Sequence, residues 1–301
     1  MALGEGRVPY DELGLFHENA AEFGLPYDQP PTVRREAVEV GPGRRMSALV
    51  WGDQAPELVL LHGGAQNAHT WDTVALALHR PLVAVDLPGH GHSDNPSNAR
   101  LDVRTNGEDM ACAVRSLAPE ARGVVGMSLG GITALALAEH APELVRAVVL
   151  VDITPGVTGG GAESIRAFVD GPPSFASFDE ILARTIQFNP TRSESSLRRG
   201  ILHNAVQQED GTWVWRHARF QDVERMREPN FGQLWDAVAT LEVPLMLVRG
   251  ADSPVVDDAQ EAELLRHLPD ARVEHVEGAG HSVQGDRPVE LAALIDDFLP
   301  A

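Results

Sequence analysis

The sequence predicts an α/β protein with a mostly parallel central sheet flanked by helices and an inserted helical cap. Three observations carry this. Short apolar runs recur at 46–51, 58–61, 82–85, 123–126, 147–151, 244–248 and 273–276. Helical patterns separate most of them, as at 106–117, 132–139 and 257–268. Strands that alternate with helices in this way form a parallel sheet covered on both faces. One interval, 156–240, breaks the rhythm: it has no clear core strand, yet it holds nine of the 16 aromatic residues. So much aromatic mass outside the alternation reads as a cap with packing of its own.

In chain order, residues 1–31 form an N-terminal extension, with Gly, Pro and Asp breaks around a helical stretch at 11–23. The core comprises 32–155 and 241–301. The cap, 156–240, lies between a glycine-rich stretch at 156–161 and Pro244. The βα pattern resumes straight after it, which favours an insertion over a second, unrelated domain. The last helix, 288–299, opens with Pro288, as a first turn allows.

The chain has 301 residues, enough to bury a sizeable core without disulfides or metals. Its 24 basic residues, all Arg, face 44 acidic ones, a net charge of −20. That balance excludes nucleic-acid and anionic-membrane binding as first readings, because both need a basic face. The single cysteine, Cys112, permits no intrachain disulfide framework. The N-terminus has no signal-peptide pattern, and no run of about 18 apolar residues is present. The expectation is a soluble, cytoplasmic protein with a small-molecule substrate; a homodimer stays open.

The sharpest motif is Gly126-Met127-Ser128-Leu129-Gly130, after the apolar pair Val124-Val125 and before a helix. A G-x-S-x-G turn between strand and helix projects the serine hydroxyl above the sheet. Its tightness demands small residues at the flanks. The bland alternative is a plain glycine-rich turn, and the elements on both sides argue against it. A serine that attacks a carbonyl creates an oxyanion, which needs two preorganised donors. Leu129, just after the serine, supplies one N–H. His62-Gly63-Gly64-Ala65, at the end of the 58–61 strand, supplies the other from Gly64 or Ala65. His62 itself reads as a residue that ties this loop down.

The general base must be a histidine on a loop at the C-terminal edge of the sheet. Among the 12 histidines, His281 in Gly278-Ala279-Gly280-His281-Ser282 has that late position. His90 and His92 also follow a strand, in Asp86-Leu87-Pro88-Gly89-His90-Gly91-His92-Ser93. A metal reading of His62, His90 and His92 lacks ligand spacing and a carboxylate cluster, so these are loop residues.

Taken together, HGG, D-x-P-G-H-G-x-S, G-M-S-L-G-G and G-A-G-H-S make the chain resemble an α/β-hydrolase-fold enzyme from about residue 46 to 300. The resemblance implies a Ser–acid–His triad in that chain order. Two acids fit. Asp252 follows the 244–248 strand, where most family members carry the acid, but the usual slot, three residues after Gly250, holds Ser253. Asp152 follows the 147–151 strand in Asp152-Ile153-Thr154-Pro155. A branch similar to small acyl-esterases pairs D-I-x-P there with S-P in the later loop. Both features are present, which narrowly favours Asp152.

Epoxide-opening relatives need an aspartate nucleophile and cap tyrosines. Here the nucleophile position is Ser128, and the only tyrosines, Tyr10 and Tyr27, precede the core. The cap aromatics, with Phe175, Trp213 and Trp215 foremost, imply an apolar roof over the substrate. The resulting expectation is a serine esterase, without cofactor or metal, for a small or medium apolar ester, thioester or lactone. One rival is a hydrolase of carbon–carbon bonds in vinylogous diketones, whose carboxylates Arg166, Arg184, Arg192 or Arg216 would seat. Another is a receptor that binds a ligand on the same fold without turnover.

Overall fold

The apolar runs at the middle of the sequence become the strands at the middle of the sheet. The structure, a computed structural model, describes residues 7–96, 102–157, 167–168, 170–189, 192–217 and 231–299. Phe220, Arg166 and residues 158–161, singled out above, lie outside them, as do residues 1–6 of the extension.

Helix α1 (Phe16–Phe23) is followed by β1 (Val33–Gly41), β2 (Arg44–Trp51), β3 (Leu58–Leu61), α2 (Asp72–Leu78) and β4 (Leu82–Val85). Next come α3 (Val103–Leu117), β5 (Gly123–Met127), α4 (Leu129–His140) and β6 (Val148–Val151). The following segment contains α5 (Phe178–Phe188), α6 (Glu194–Asn204), β7 (Ala205–Gln207), β8 (Trp213–Trp215) and α7 (Trp235–Ala239). The chain closes with β9 (Leu245–Gly250), α8 (Asp258–His267), β10 (Arg272–Val276), α9 (Val283–Asp286) and α10 (Pro288–Phe298).

The eight-stranded sheet has the order β1-β2-β4-β3-β5-β6-β9-β10. β2 pairs antiparallel with β1 and β4, and the remaining pairs are parallel. Alternate side chains of each central strand enter opposite cores. Val59, Leu61, Val124 and Leu150 pack with α3 and α4, whereas Leu58, Leu60, Val125 and Val149 pack with α2 and α10. Both faces are therefore dry, and β3, β4, β5 and β6 are buried throughout.

Three local features depart from the sequence reading. β1 was not anticipated, because an edge strand needs little apolar density: Val38 is its one buried residue. The helix expected over 11–23 starts at Phe16, since Gly14 N–H closes a turn on the Asp11 carbonyl. The segment between β6 and β9 is not purely helical. β7 and β8 form an antiparallel hairpin, turned at Gly211 with φ of 89°.

Residues 7–31 bridge the core and this inserted segment. Glu12 binds Arg35 of β1 at 2.7 Å. Asn19 and Glu22 of α1 hold the buried Arg199 of α6. The Tyr10 hydroxyl meets His203 Nδ1 at 2.9 Å. Among the described residues, no helix is long and apolar enough to cross a membrane.

Where these pieces meet, His69 Nδ1 lies 2.9 Å from Asp72 Oδ2 and its Nε2 lies 3.4 Å from Glu12 Oε1. Burial works against the imidazolium, but the Asp72 charge and the two hydrogen bonds outweigh it and raise the His69 pKa to about 9. A folded pKa above the ordinary 6.5 means that this stabilisation is complete below 6.5 and is lost as pH rises through about 9. Between pH 7 and 9.5 the Tm of the wild type is thus expected to fall more steeply than that of His69→Gln. Parallel curves in differential scanning calorimetry would contradict the assignment.

Candidate active site

Parallel strands bring their following loops to one edge of the sheet. Met127 is paired with Val151, Val151 with Val248, and Gly250 with Val276. Ser128, Asp152 and the His281 loop therefore leave β5, β6 and β10 at the same edge of the sheet.

The serine turn is held by close backbone approach. A Cβ on Gly126 would sit 2.4 Å from the Gly130 carbonyl, and one on Gly130 would sit 2.2 Å from the Leu61 oxygen. With glycine at both places, α4 starts directly against β3 and β5. Ser128 pays for this with φ of 50° and ψ of −117°. Its N–H donates to the Val151 carbonyl at 3.2 Å. Its hydroxyl has no hydrogen-bond partner among the described residues.

Asp152 is fully buried, with φ of 52°. Its Oδ1 accepts the Gly250 N–H at 3.2 Å, and its Oδ2 accepts the Ser253 hydroxyl at 2.5 Å. The same Oδ2 lies 2.7 Å from His281 Nδ1, so that nitrogen carries the proton and Nε2 is left with its lone pair outward. Asp252 is exposed, with no side-chain partner among the described residues. The structure thus joins His281 to Asp152 and leaves Asp252 apart. Ser253, noted in the sequence as the occupant of the usual acid slot and as part of S-P, proves to be a hydrogen-bond donor to Asp152. That pairing spans 101 positions and has no local signature.

Of the two N–H groups considered on the glycine loop, that of Ala65 is committed to His90 Nε2 at 3.1 Å. Those of Gly64 and Leu129 have no partner among the described residues. His90 Nδ1 donates to the Pro88 carbonyl at 3.0 Å. Burial, then the neighbouring His62 and His217, lower its pKa to about 3, so it is neutral and can accept from Ala65. His62 donates to the Gly63 carbonyl and accepts the Leu87 N–H, entirely buried. Both histidines act as loop ties.

A cavity of about 170 Å³ opens beside this edge. Ala65, Gln66, Phe168, Arg192, Trp215 and Gln284 are among its lining residues. The apolar-roof expectation is corrected here. Phe175 and Trp213 are 2% and 4% exposed and pack with Ile181 and Ile201 inside the inserted segment. Of the three aromatics named, Trp215 alone lines this cavity, and its neighbours include polar groups. The hairpin explains the difference, since Trp213 sits where the strand faces α5 and packs edge-on against Phe178. Asn204, at the end of α6, donates to the Ala65 carbonyl at 2.6 Å and ties the segment to the glycine loop.

Metal-ligating atoms of His69, Asp72 and His203 lie within 4.8 Å of one another. The two imidazoles are stacked, with centroids 3.7 Å apart and planes at 12°. In-plane lone pairs on parallel rings cannot converge on one ion at bonds of about 2 Å. The His69–Asp72 ion pair with a neutral ring stacked on it accounts for the cluster.

The model of the alpha/beta hydrolase family matches residues 58–294. The chain is 44% identical, over 96% of each sequence, to the esterase Rv0045c of Mycobacterium tuberculosis. A crystal structure of that esterase superposes with a TM-score of 0.85, at 42% identity, covering 98% of this chain and all of the other. The sn-1-specific diacylglycerol lipase ABHD11 of Xenopus laevis is 29% identical, over 81% of this chain and 80% of its own.

Gly130→Ala is expected to cost about 3 kcal/mol, because the new methyl meets backbone that cannot move aside. An unchanged urea midpoint would show that the contact relaxes freely.

Proposed function

The chain belongs to the alpha/beta hydrolase family, and on that premise we propose that it is an esterase, cleaving a small or medium carboxylic ester, thioester or lactone through an acyl-enzyme on Ser128. The observation that carries this is the 2.7 Å contact of His281 with the buried Asp152, beside the strained Ser128 turn.

Ser128 Oγ attacks the carbonyl while His281 Nε2 takes its proton. Asp152 holds Nδ1–H and stabilises the imidazolium that forms. The free N–H groups of Gly64 and Leu129 receive the oxyanion, and Leu129 adds the partial positive charge of a helix N-terminus. Losing one such donor costs about 3–4 kcal/mol of transition-state stabilisation. His281 then protonates the leaving alcohol, and the acyl-enzyme is cleared by a water that His281 activates. Ser253 keeps the Asp152 carboxylate oriented. The segment between β6 and β9 serves as a cap, because Asn204 fastens it over the glycine loop. A cytoplasmic setting belongs to the same reading, in keeping with the single cysteine.

Intact mass after exposure to a small fluorophosphonate is expected to show one adduct on the wild type and none on Ser128→Ala. A folded wild type that stays unlabelled would overturn the nucleophile and bring forward the receptor reading. Asp152→Asn is expected to lower kcat about 10³- to 10⁴-fold, while Asp252→Asn stays within about threefold. Equal, mild losses in the two variants would remove Asp152 from the triad.

A further inference from the structure

We propose that the cavity bordered by Ala65 and Gln66 of the glycine loop holds an anion subsite built on Arg192, so that the preferred ester carries a free carboxylate. This rests on the esterase reading and adds its substrate class.

Arg192 precedes α6 and lines the cavity. Its guanidinium lies against the backbone of Gly285, where a Cβ would stand 3.0 Å from Cζ and both terminal nitrogens. Gly285 is four residues past His281. A chain of contacts links this wall to the serine. A Cβ on Gly63 would lie 3.4 Å from both Ser128 Cβ and Gln66 Oε1, and that oxygen accepts from Gln284 Nε2 at 3.3 Å. The path from Ser128 through Gln66 and Gln284 thus ends at the Gly285–Arg192 contact.

What marks Arg192 is the lack of a counter-ion. Its one side-chain hydrogen bond among the described residues runs from Nη2 to the Ser196 hydroxyl at 2.8 Å. Its Nε is buried without an acceptor, and no described carboxylate comes within 4.0 Å. The carboxylates whose fields reach it are Glu22 and Asp286. Glu22 is bound by Arg199 and Ser193, and Asp286 accepts the Gly280 N–H at 2.9 Å. By contrast, the neighbouring Arg199 is fully paired with Glu18 and Glu22. Burial lowers the Arg192 pKa, although a guanidinium stays charged at neutral pH. A desolvated cation without an anion is unfavourable, and a planar fork matches a carboxylate with two parallel hydrogen bonds.

The carboxylate can belong to the acyl side or to the alcohol side, and paired esters separate the two. On the acyl side, the 4-nitrophenyl monoester of glutaric acid is compared with 4-nitrophenyl pentanoate. On the alcohol side, the butyryl ester of 3-hydroxypropanoate is compared with propyl butyrate. In at least one pair the wild type is expected to favour the carboxylate by tenfold or more in kcat/KM. Arg192→Met should bring that ratio close to one, and Arg192→Lys should restore part of it. A preference for the neutral ester in both pairs, or a ratio that Arg192→Met leaves unchanged, would overturn the subsite. Should Arg192→Met fail to fold, competitive inhibition of the wild type by glutarate, against none by pentanamide, decides: equal or absent inhibition overturns it. Loss of the fluorophosphonate adduct would instead sink the esterase reading, whereas a labelled enzyme indifferent to charge sinks the subsite alone.

Discussion

The structure depends on one close approach: the first turn of α4 lies directly on the ends of β3 and β5. Gly130 packs its α-carbon against the Leu61 carbonyl, and Gly126 packs against Gly130. No other residue type fits either place. The approach sets the angle at which the helix leaves the sheet, and through it the strained backbone of Ser128. It also aims the helix N-terminus, with the unpaired Leu129 N–H, at the space over the glycine loop. The hydroxyl, the donors and the surrounding loops share this single geometric origin.

The acid shows how a parallel sheet allows substitution among neighbouring loops. The loop after β9 bears Ser253 where many relatives bear the carboxylate, and the loop after β6 bears Asp152. Because β6 and β9 are adjacent, a carboxylate leaving β6 still reaches the loop after β10, and His281 meets it at 2.7 Å. The hydroxyl of Ser253 fills the vacated position and donates to the same oxygen. Three donors on one buried carboxylate keep its charge satisfied away from water.

The N-terminal segment does more than precede the core. Tyr10, Glu12, Asn19 and Glu22 each hold a residue of another element, two of them on α6 beside the cavity. The inserted segment is thus pinned from two sides, by α1 and by Asn204 on the glycine loop. Such pinning holds the walls of the cavity next to the glycine loop, and it places Arg192 where no carboxylate among the described residues pairs with it.

Local pattern by itself determined the βα alternation, and it marked the serine turn and the late histidine. Each is written in periodicity or in small residues at fixed offsets, because apolar burial and tight turns act over a few positions. β1 escaped notice because its edge position leaves it largely polar, and the β7–β8 hairpin because its strands are three residues long. Only the tertiary structure decided what depends on distant partners. It joined Asp152 to His281, engaged Ala65, turned Phe175 and Trp213 into the inserted segment's own core, and, among the described residues, left the Gly64 N–H free and Arg192 without a carboxylate. Hydrogen bonding joins residues from 25 to 129 positions apart in these cases, and a local pattern carries no record of which ones meet.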